Sequence, residues 1–198
     1  DEERMPYPRY MQDGESHQES RFSERAKDYP LVMMSNHPRW RVHANMDDVP
    51  WFQEIETSKV HGDDGYPYEP CWINPADAAE LGIEDGDIVE IYNDRGMVLG
   101  GAYVTHRIMV GAVNQDHGAR LDPLEFGKAD RGGANNIICP TNTTSKHCAG
   151  EVTNGFLVGV RKADMDELRR RYPEAFERKF DPATGIVVDE WIIEGGND

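Results

Sequence analysis

Short apolar runs separated by Gly, Pro, Asn and Asp fill the middle of this chain, a pattern that predicts a series of β-strands rather than long helices. Leu31–Met34, Cys71-Trp72-Ile73, Ile88–Tyr92, Met97–Val104 and the runs 112–114 and 156–160 each read as one strand. Asn93-Asp94-Arg95-Gly96 is turn chemistry that makes Ile88–Tyr92 and Met97–Val104 neighbours. One short helix is well punctuated: Asn74 can cap it, Pro75 suits its first position, and Gly82 supplies a left-handed stop. Glu84-Asp85-Gly86 then turns into the next strand. Pro50-Trp51-Phe52 with Ile55 predicts a single amphipathic helical turn packed on the sheet, and 59–70, rich in Gly, Asp and Pro, predicts a loop. Residues 122–136 predict a long irregular loop, a length that usually accompanies function or disorder. Many short strands with one small helix favour a closed β-barrel over a doubly wound sheet.

The two ends read differently. Residues 1–28 are polar and charged without apolar periodicity, the pattern of a linker or surface strap. Residues 164–171 predict a charged helix capped by Asp164 and extended by 173–180, and Gly185-Ile186-Val187-Val188 with Trp191-Ile192-Ile193 predict a last β segment. The chain thus divides into a strap (1–28), a barrel (29–162) and a C-terminal extension (163–198), the last a candidate for docking on another domain or subunit.

At 198 residues the chain can hold one good-sized core plus extensions. A formal charge of −16 argues against nucleic acid or an anionic membrane as partner. No apolar run has the length of a membrane span, and no signal peptide opens the chain, so the compartment, cytoplasm or periplasm, stays open. Cys71, Cys139 and Cys148 form no Cys-x-x-Cys pair. His147 and Cys148 are adjacent in sequence, a spacing that weighs against a zinc site with Cys139. There is no Gly-x-Ser-x-Gly nucleophile elbow. Charge distribution says more than its sum: no Asp or Glu lies between Asp28 and Asp47, between Asp94 and Asp116, or between Asp130 and Glu151. The first window holds His37, Arg39, Arg41 and His43, the second Arg95 and Arg107, the third Arg131 and Lys146. Buried strands exclude carboxylates anyway; the functional expectation is that these cations line one anion-binding surface.

Asn-Pro-x-Asp-Ala at 74–78, Gly-Ile-x-Asp-Gly-Asp at 82–87 and Asn-Asp-Arg-Gly at 93–96 resemble, in that order, the C-terminal domain of the molybdopterin oxidoreductases, the dimethyl-sulfoxide-reductase type of molybdenum or tungsten enzyme. Ser35-Asn36-His37-Pro38-Arg39-Trp40-Arg41-Val42-His43 upstream and Val104-Thr105-His106-Arg107-Ile108-Met109-Val110-Gly111, His117-Gly118-Ala119, Arg131-Gly132-Gly133-Ala134-Asn135-Asn136 and Phe156-Leu157-Val158-Gly159-Val160 downstream extend the resemblance to about residues 29 to 162. Residues 128–133 and 145–150 are most similar to the pyrogallol–phloroglucinol transhydroxylase branch. Val110 stands where the family commonly has Pro, which implies a looser loop there.

The resemblance implies a mainly β fold, a six-stranded double-psi β-barrel, and a bis(molybdopterin guanine dinucleotide) cofactor carrying molybdenum or tungsten, with no iron–sulfur cluster in this chain. Such a dinucleotide presents a diphosphate, a guanine and a pterin edge, and its site needs cations or N–H groups, planar side chains and amides. Ser35, Asn36, His37, Arg39, Arg41 and His43 supply these on a segment turned by Pro38. Gly132 and Gly133 let backbone approach a ligand, Asn136 matches a pterin-contacting amide with Asn135 as competitor, and Lys146 could close over the cofactor. The metal ligand and most substrate contacts are expected on preceding domains of the same catalytic subunit or on a partner large subunit, with an iron–sulfur electron-transfer subunit as a further partner. The chain alone is then not expected to be active. A separate small subunit that completes a shared site and a non-enzymatic double-psi adaptor are the alternatives; the latter leaves the 37–43 and 132–136 matches without a role.

Overall fold

A computed structural model describes residue 7, residues 20–141, 143–145 and 147–181, and residues 183 and 186. Six strands occupy the predicted apolar runs: β1 Leu31–Met34, β2 Pro70–Ile73, β3 Ile88–Tyr92, β4 Met97–Val104, β5 Ala112–Gln115 and β6 Phe156–Lys162. They pair in the order β2–β5–β1–β6–β3–β4, and β4 pairs back on β2, which closes the ring. Two contacts are parallel, β1 with β5 and β2 with β4; the others are antiparallel. This is the double-psi β-barrel expected from the sequence. Because successive side chains of a strand alternate in direction, Leu31 and Met33, Cys71 and Ile73, Val89 and Ile91, and Val158 and Val160 meet in one core with Val113 and Phe156.

Among the described residues, four α-helices follow the sequence signals unevenly. α1 is the single turn Pro50–Gln53, but it does not pack as an apolar face: Trp51 is 84% exposed and Ile55 39%, while Gln53 turns inward and donates to the Asp47 carbonyl. One hydrogen bond to a buried carbonyl sets the roll of so short a helix more firmly than its aromatic residue does. α2, Pro75–Leu81, has the expected ends; the Asn74 side chain accepts from the Ala76 N–H, and Gly82 sits at φ 65. The same Asn74 amide donates 2.7 Å to the Ile108 carbonyl and so ties the helix start to the loop before β5. Asn74→Ala is expected to lower stability by about 1 kcal/mol from the lost cap and to loosen residues 105–110; urea unfolding with amide exchange of that loop checks it.

Both predicted loops carry pairing. Val60–His61 and Pro67–Tyr68 form a two-stranded hairpin, and in 122–136 the segments Pro123–Glu125 and Ala129–Asp130 add to the edge of β4. α3, Met165–Arg171, is capped by Asp164, and Pro173 opens a separate α4, Pro173–Glu177, rather than an extension. Through residue 180 this extension packs on the chain's own barrel. Leu168 packs with Tyr66, Tyr68 and Leu99, against which Tyr172, Phe176 and Phe180 also lie. Arg131 sits in the middle of this patch, 4.0 Å above the Tyr66 ring and 4.7 Å from that of Phe176, bonded 2.8 Å to Asp64. The predicted segments at 1–6, 8–19 and 187–198 lie outside the described residues. Among the described residues no helix is long and apolar enough to cross a membrane.

Candidate functional site

Strand direction decides which loops meet. β1 and β5 are parallel, with Met34 opposite Asn114, so the segments that follow them, 35–43 and 116–120, leave the barrel side by side. The His117 N–H continues the ladder by donating 3.1 Å to the Asn36 carbonyl. β2 is antiparallel to β5 with Cys71 opposite Gln115, which brings Glu69, just before β2, to the same end.

Beneath these loops lies a buried ion cluster. The Arg41 guanidinium, whose side chain is 0% exposed, donates 2.7 Å to Asp47, 2.7 and 3.0 Å to the two Glu69 oxygens, and 3.2 and 3.0 Å to the carbonyls of Asp116 and His117. Lys59 completes it at 3.0 Å from Asp47 and 2.8 Å from Glu69. Burial works against the Arg41 charge, but Glu69 and then Asp47 outweigh it and raise its pKa; burial likewise opposes ionisation of Asp47, and Lys59 with Arg41 reverses that and lowers it. Arg41 therefore stands behind the surface and fixes the backbones of two loops; the expected direct contact of its guanidinium with a diphosphate is corrected.

A cleft of about 210 Å³ beside β2 and β5 is lined by Asn36, His37, Arg39, Trp40, Trp72, Arg107 and Asn114, and by one carboxylate, Asp116, which accepts 3.0 Å from the Asn114 amide. Two of the acid-free windows are thus brought together, through Arg39 and Arg107. The indole N–H groups of Trp40 and Trp72 and the amide oxygen of Asn114 are buried and have no hydrogen-bond partner. Buried polar atoms are normally satisfied, so two donors and an acceptor left over in one lining with two guanidinium side chains are chemically suited to a polar ligand.

Beside the cleft, His37, His43 and His117 pack ring against ring, with centroids 4.0 Å apart for His37 and His117, 5.1 Å for His43 and His117 and 5.2 Å for His37 and His43. Nδ1 of His117 lies 3.4 Å from the Ser35 carbonyl oxygen, and its Nε2 is buried without a partner. Burial pushes the His117 pKa down, the bond to Ser35 opposes this, and charge on His37 or His43 pushes it further down.

The other predicted residues divide. Asn36, His37, Arg39 and His43 are exposed at this end, whereas Ser35 is 5% exposed and works internally: its Oγ accepts 3.0 Å from Asn135, and its N–H donates 2.5 Å to Asn154. Asn135 is the inward amide; Asn136 is exposed and lines a second cavity, of about 650 Å³, with Ala44, Ala119 and Arg120. Gly132 and Gly133 are buried, and the reason for glycine there is corrected. A Cβ on Gly132 would stand 2.1 Å from the Arg120 carbonyl oxygen, and one on Gly133, at φ 86, 2.7 Å from Cβ of Glu69. Protein, not ligand, fills that space. Arg131 points into its aromatic cage and Arg95 donates 3.2 Å to the Ile138 carbonyl, so neither joins the cleft. Lys146 lies outside the described residues. The sequence reading missed Trp72, Asn114 and the meeting of His117 with the other two histidines; only the parallel pairing of β1 with β5 and the flanking β2 could have shown them.

The chain is thus a six-stranded double-psi barrel with a polar cleft lined by two arginines and one aspartate. The sequence profile of the Molydopterin dinucleotide binding domain matches residues 31–155, and the chain belongs to that family. It is 36% identical over 137 residues to the dimethyl sulfoxide/trimethylamine N-oxide reductase of Cereibacter sphaeroides, covering 68% of this chain and 16% of that protein. It is 38% identical over 171 residues to the pyrogallol hydroxytransferase large subunit of Pelobacter acidigallici, covering 84% of this chain and 19% of that protein. The solved acetylene hydratase from Pelobacter acetylenicus superposes with a TM-score of 0.48 at 18% identity, over 71% of this chain and 19% of that one. The chain spans less than a fifth of the length of these relatives.

Proposed function

We propose that this chain holds the dinucleotide of a bis(molybdopterin guanine dinucleotide) cofactor as one domain of an oxidoreductase or transhydroxylase catalytic subunit. The observation that carries this reading is the cleft in which Trp40 Nε1, Trp72 Nε1 and Asn114 Oδ1 lack partners between Arg39 and Arg107. That donor set fits the group: guanidinium side chains suit a diphosphate, and indole N–H groups with an amide suit a heterocycle's edge. Asn36, His37 and His43 add exposed donors and acceptors at the same end, while Arg41, Ser35 and Asn135 hold their backbones in place. Asn136 in the second cavity offers an amide to a further part of the ligand. The bound cofactor supplies the redox chemistry at its metal, molybdenum or tungsten; the residues of this chain bind and orient it. On this reading the metal ligand, any iron–sulfur centre and the substrate pocket belong to the remainder of such a subunit or to partner subunits.

Arg39→Glu tests the reading. Losing a charge-assisted contact and placing a carboxylate beside a diphosphate is expected to weaken binding by about 1.5 to 3 kcal/mol, ten- to a hundredfold. Acid release from the full-length protein, with mass spectrometry for GMP and elemental analysis for molybdenum and tungsten, reads it out. GMP and metal should fall together in the variant while the fold survives, since Arg39 is exposed. Unchanged GMP content would turn the 36–40 segment into an ordinary surface loop.

A further inference from the structure

We infer that His37, His43 and His117 form a binding site for a first-row divalent transition metal ion, with zinc the simplest occupant. One ligand nitrogen from each ring can be chosen so that all lie within 4.8 Å of one another. Zinc bound by imidazoles at about 2.0–2.1 Å brings tetrahedral neighbours to roughly 3.3 Å apart. His37 and His43 are exposed, so side-chain rotation can close that gap without moving the core.

Four further features point the same way. First, His117 Nδ1 faces the Ser35 carbonyl at 3.4 Å, and this assigns the proton to Nδ1 and leaves Nε2, buried and unpartnered, as the free lone pair. That is the outer hydrogen bond by which metal-bound imidazoles are normally oriented. Second, the Arg41 guanidinium fixes the His117 backbone through its carbonyl. Third, His43 occupies the corner of the tight turn between Val42 and Asn45 at φ 52, a left-handed conformation uncommon outside glycine. Fourth, Gly118 presses on that turn so closely that a Cβ there would stand 2.2 Å from the His43 carbonyl oxygen. A strained turn held by a neighbouring loop, to stack three imidazoles at one point, is costly unless the cluster binds something. Three imidazoles, two of them on exposed residues, match borderline metals such as zinc, nickel or copper and leave a coordination position to water. The cluster shares His37 and His43 with the end of the barrel assigned to the dinucleotide, but the two readings fail separately: released GMP reports on that one, metal bound in pterin-free protein on this one.

The test uses full-length protein made in a host that does not synthesise the pterin, stripped of metal by chelator and titrated with zinc chloride by calorimetry. The expected result is a zinc site of micromolar affinity that His37→Gln, His43→Gln and His117→Gln each weaken at least tenfold. His61→Gln and His106→Gln, exposed histidines outside the cluster, should leave it unchanged. Cobalt substituted at the site should show visible d–d absorption that His37→Gln removes. His117 is half-buried and its variant could disturb the loop, so the exposed His37 variant, verified by circular dichroism, decides. No zinc binding attributable to the cluster, or affinity unchanged in His37→Gln, overturns the proposal whatever the GMP content proves to be.

Discussion

Arg41→Met is expected to destabilise the folded chain by about 3–5 kcal/mol, the cost of breaking a buried ion cluster from one side. Wild-type Arg41 and Lys59 balance Asp47 and Glu69, with Arg41 and Glu69 side chains 0% exposed and the other two at 5% and 7%. Methionine fills much of the volume but leaves two carboxylates against one lysine in a place water does not reach. It also strands the Asp116 and His117 carbonyls that accept from the guanidinium. With a urea m-value of about 2 kcal/mol/M, the unfolding midpoint should drop by about 1.5–2.5 M. Arg41→Lys restores the charge but not the planar fork and should recover only part of the loss. A midpoint shift below about 0.5 M for the methionine variant, on the same m-value scale, would mean the cluster is hydrated and that Arg41 does not anchor the site.

Arg41 also shows where sequence reasoning stops. Its position in an acid-free window reads as a cation waiting for an anionic ligand, but its partner Glu69 lies 28 residues away. Nothing local announces that β2 begins beside the end of β5. Arg131 misleads in the same way, since its charge is paired with Asp64, 67 residues distant, and its guanidinium is stacked on aromatic rings from α4 and beyond. Strands are legible because alternation and turn chemistry are local properties, and so all six barrel strands lie where the apolar runs put them. The helix at 75–81 is legible for the same reason, through its cap and its stop. Pairing order is not local, and order alone makes a cleft of Trp72, Asn114, Arg39 and Arg107, or gathers histidines 37, 43 and 117. The family resemblance supplied the missing topology in outline and directed attention to residues 35–43, which the structure places at one end of the barrel beside 116–120. It could not tell which of those side chains face outward, and Ser35 and Arg41 do not.

Gly118→Ala is expected to cost nearly as much as the loss of Arg41, because two penalties coincide. At φ 89 an alanine pays about 1–2 kcal/mol for left-handed backbone. Its Cβ would also stand 2.2 Å from the carbonyl oxygen and 2.6 Å from Cα of His43, an overpacking that adds about 1–3 kcal/mol. The neighbouring backbone cannot easily retreat: His43 sits in a turn closed by paired bonds between Val42 and Asn45, and His117 is held by Arg41. Gly127→Ala is the matched control, since Gly127 has φ 74 but nothing within 4 Å of a Cβ. Both variants lose the backbone contribution, so the difference between their unfolding free energies isolates the contact with His43. That difference should be about 1–3 kcal/mol, and zinc affinity should fall in Gly118→Ala alone, because relief of the clash requires His43 to leave the cluster. Equal destabilisation in the two variants would mean that the 42–45 turn yields freely, and the strain assigned to His43 would then hold nothing in place.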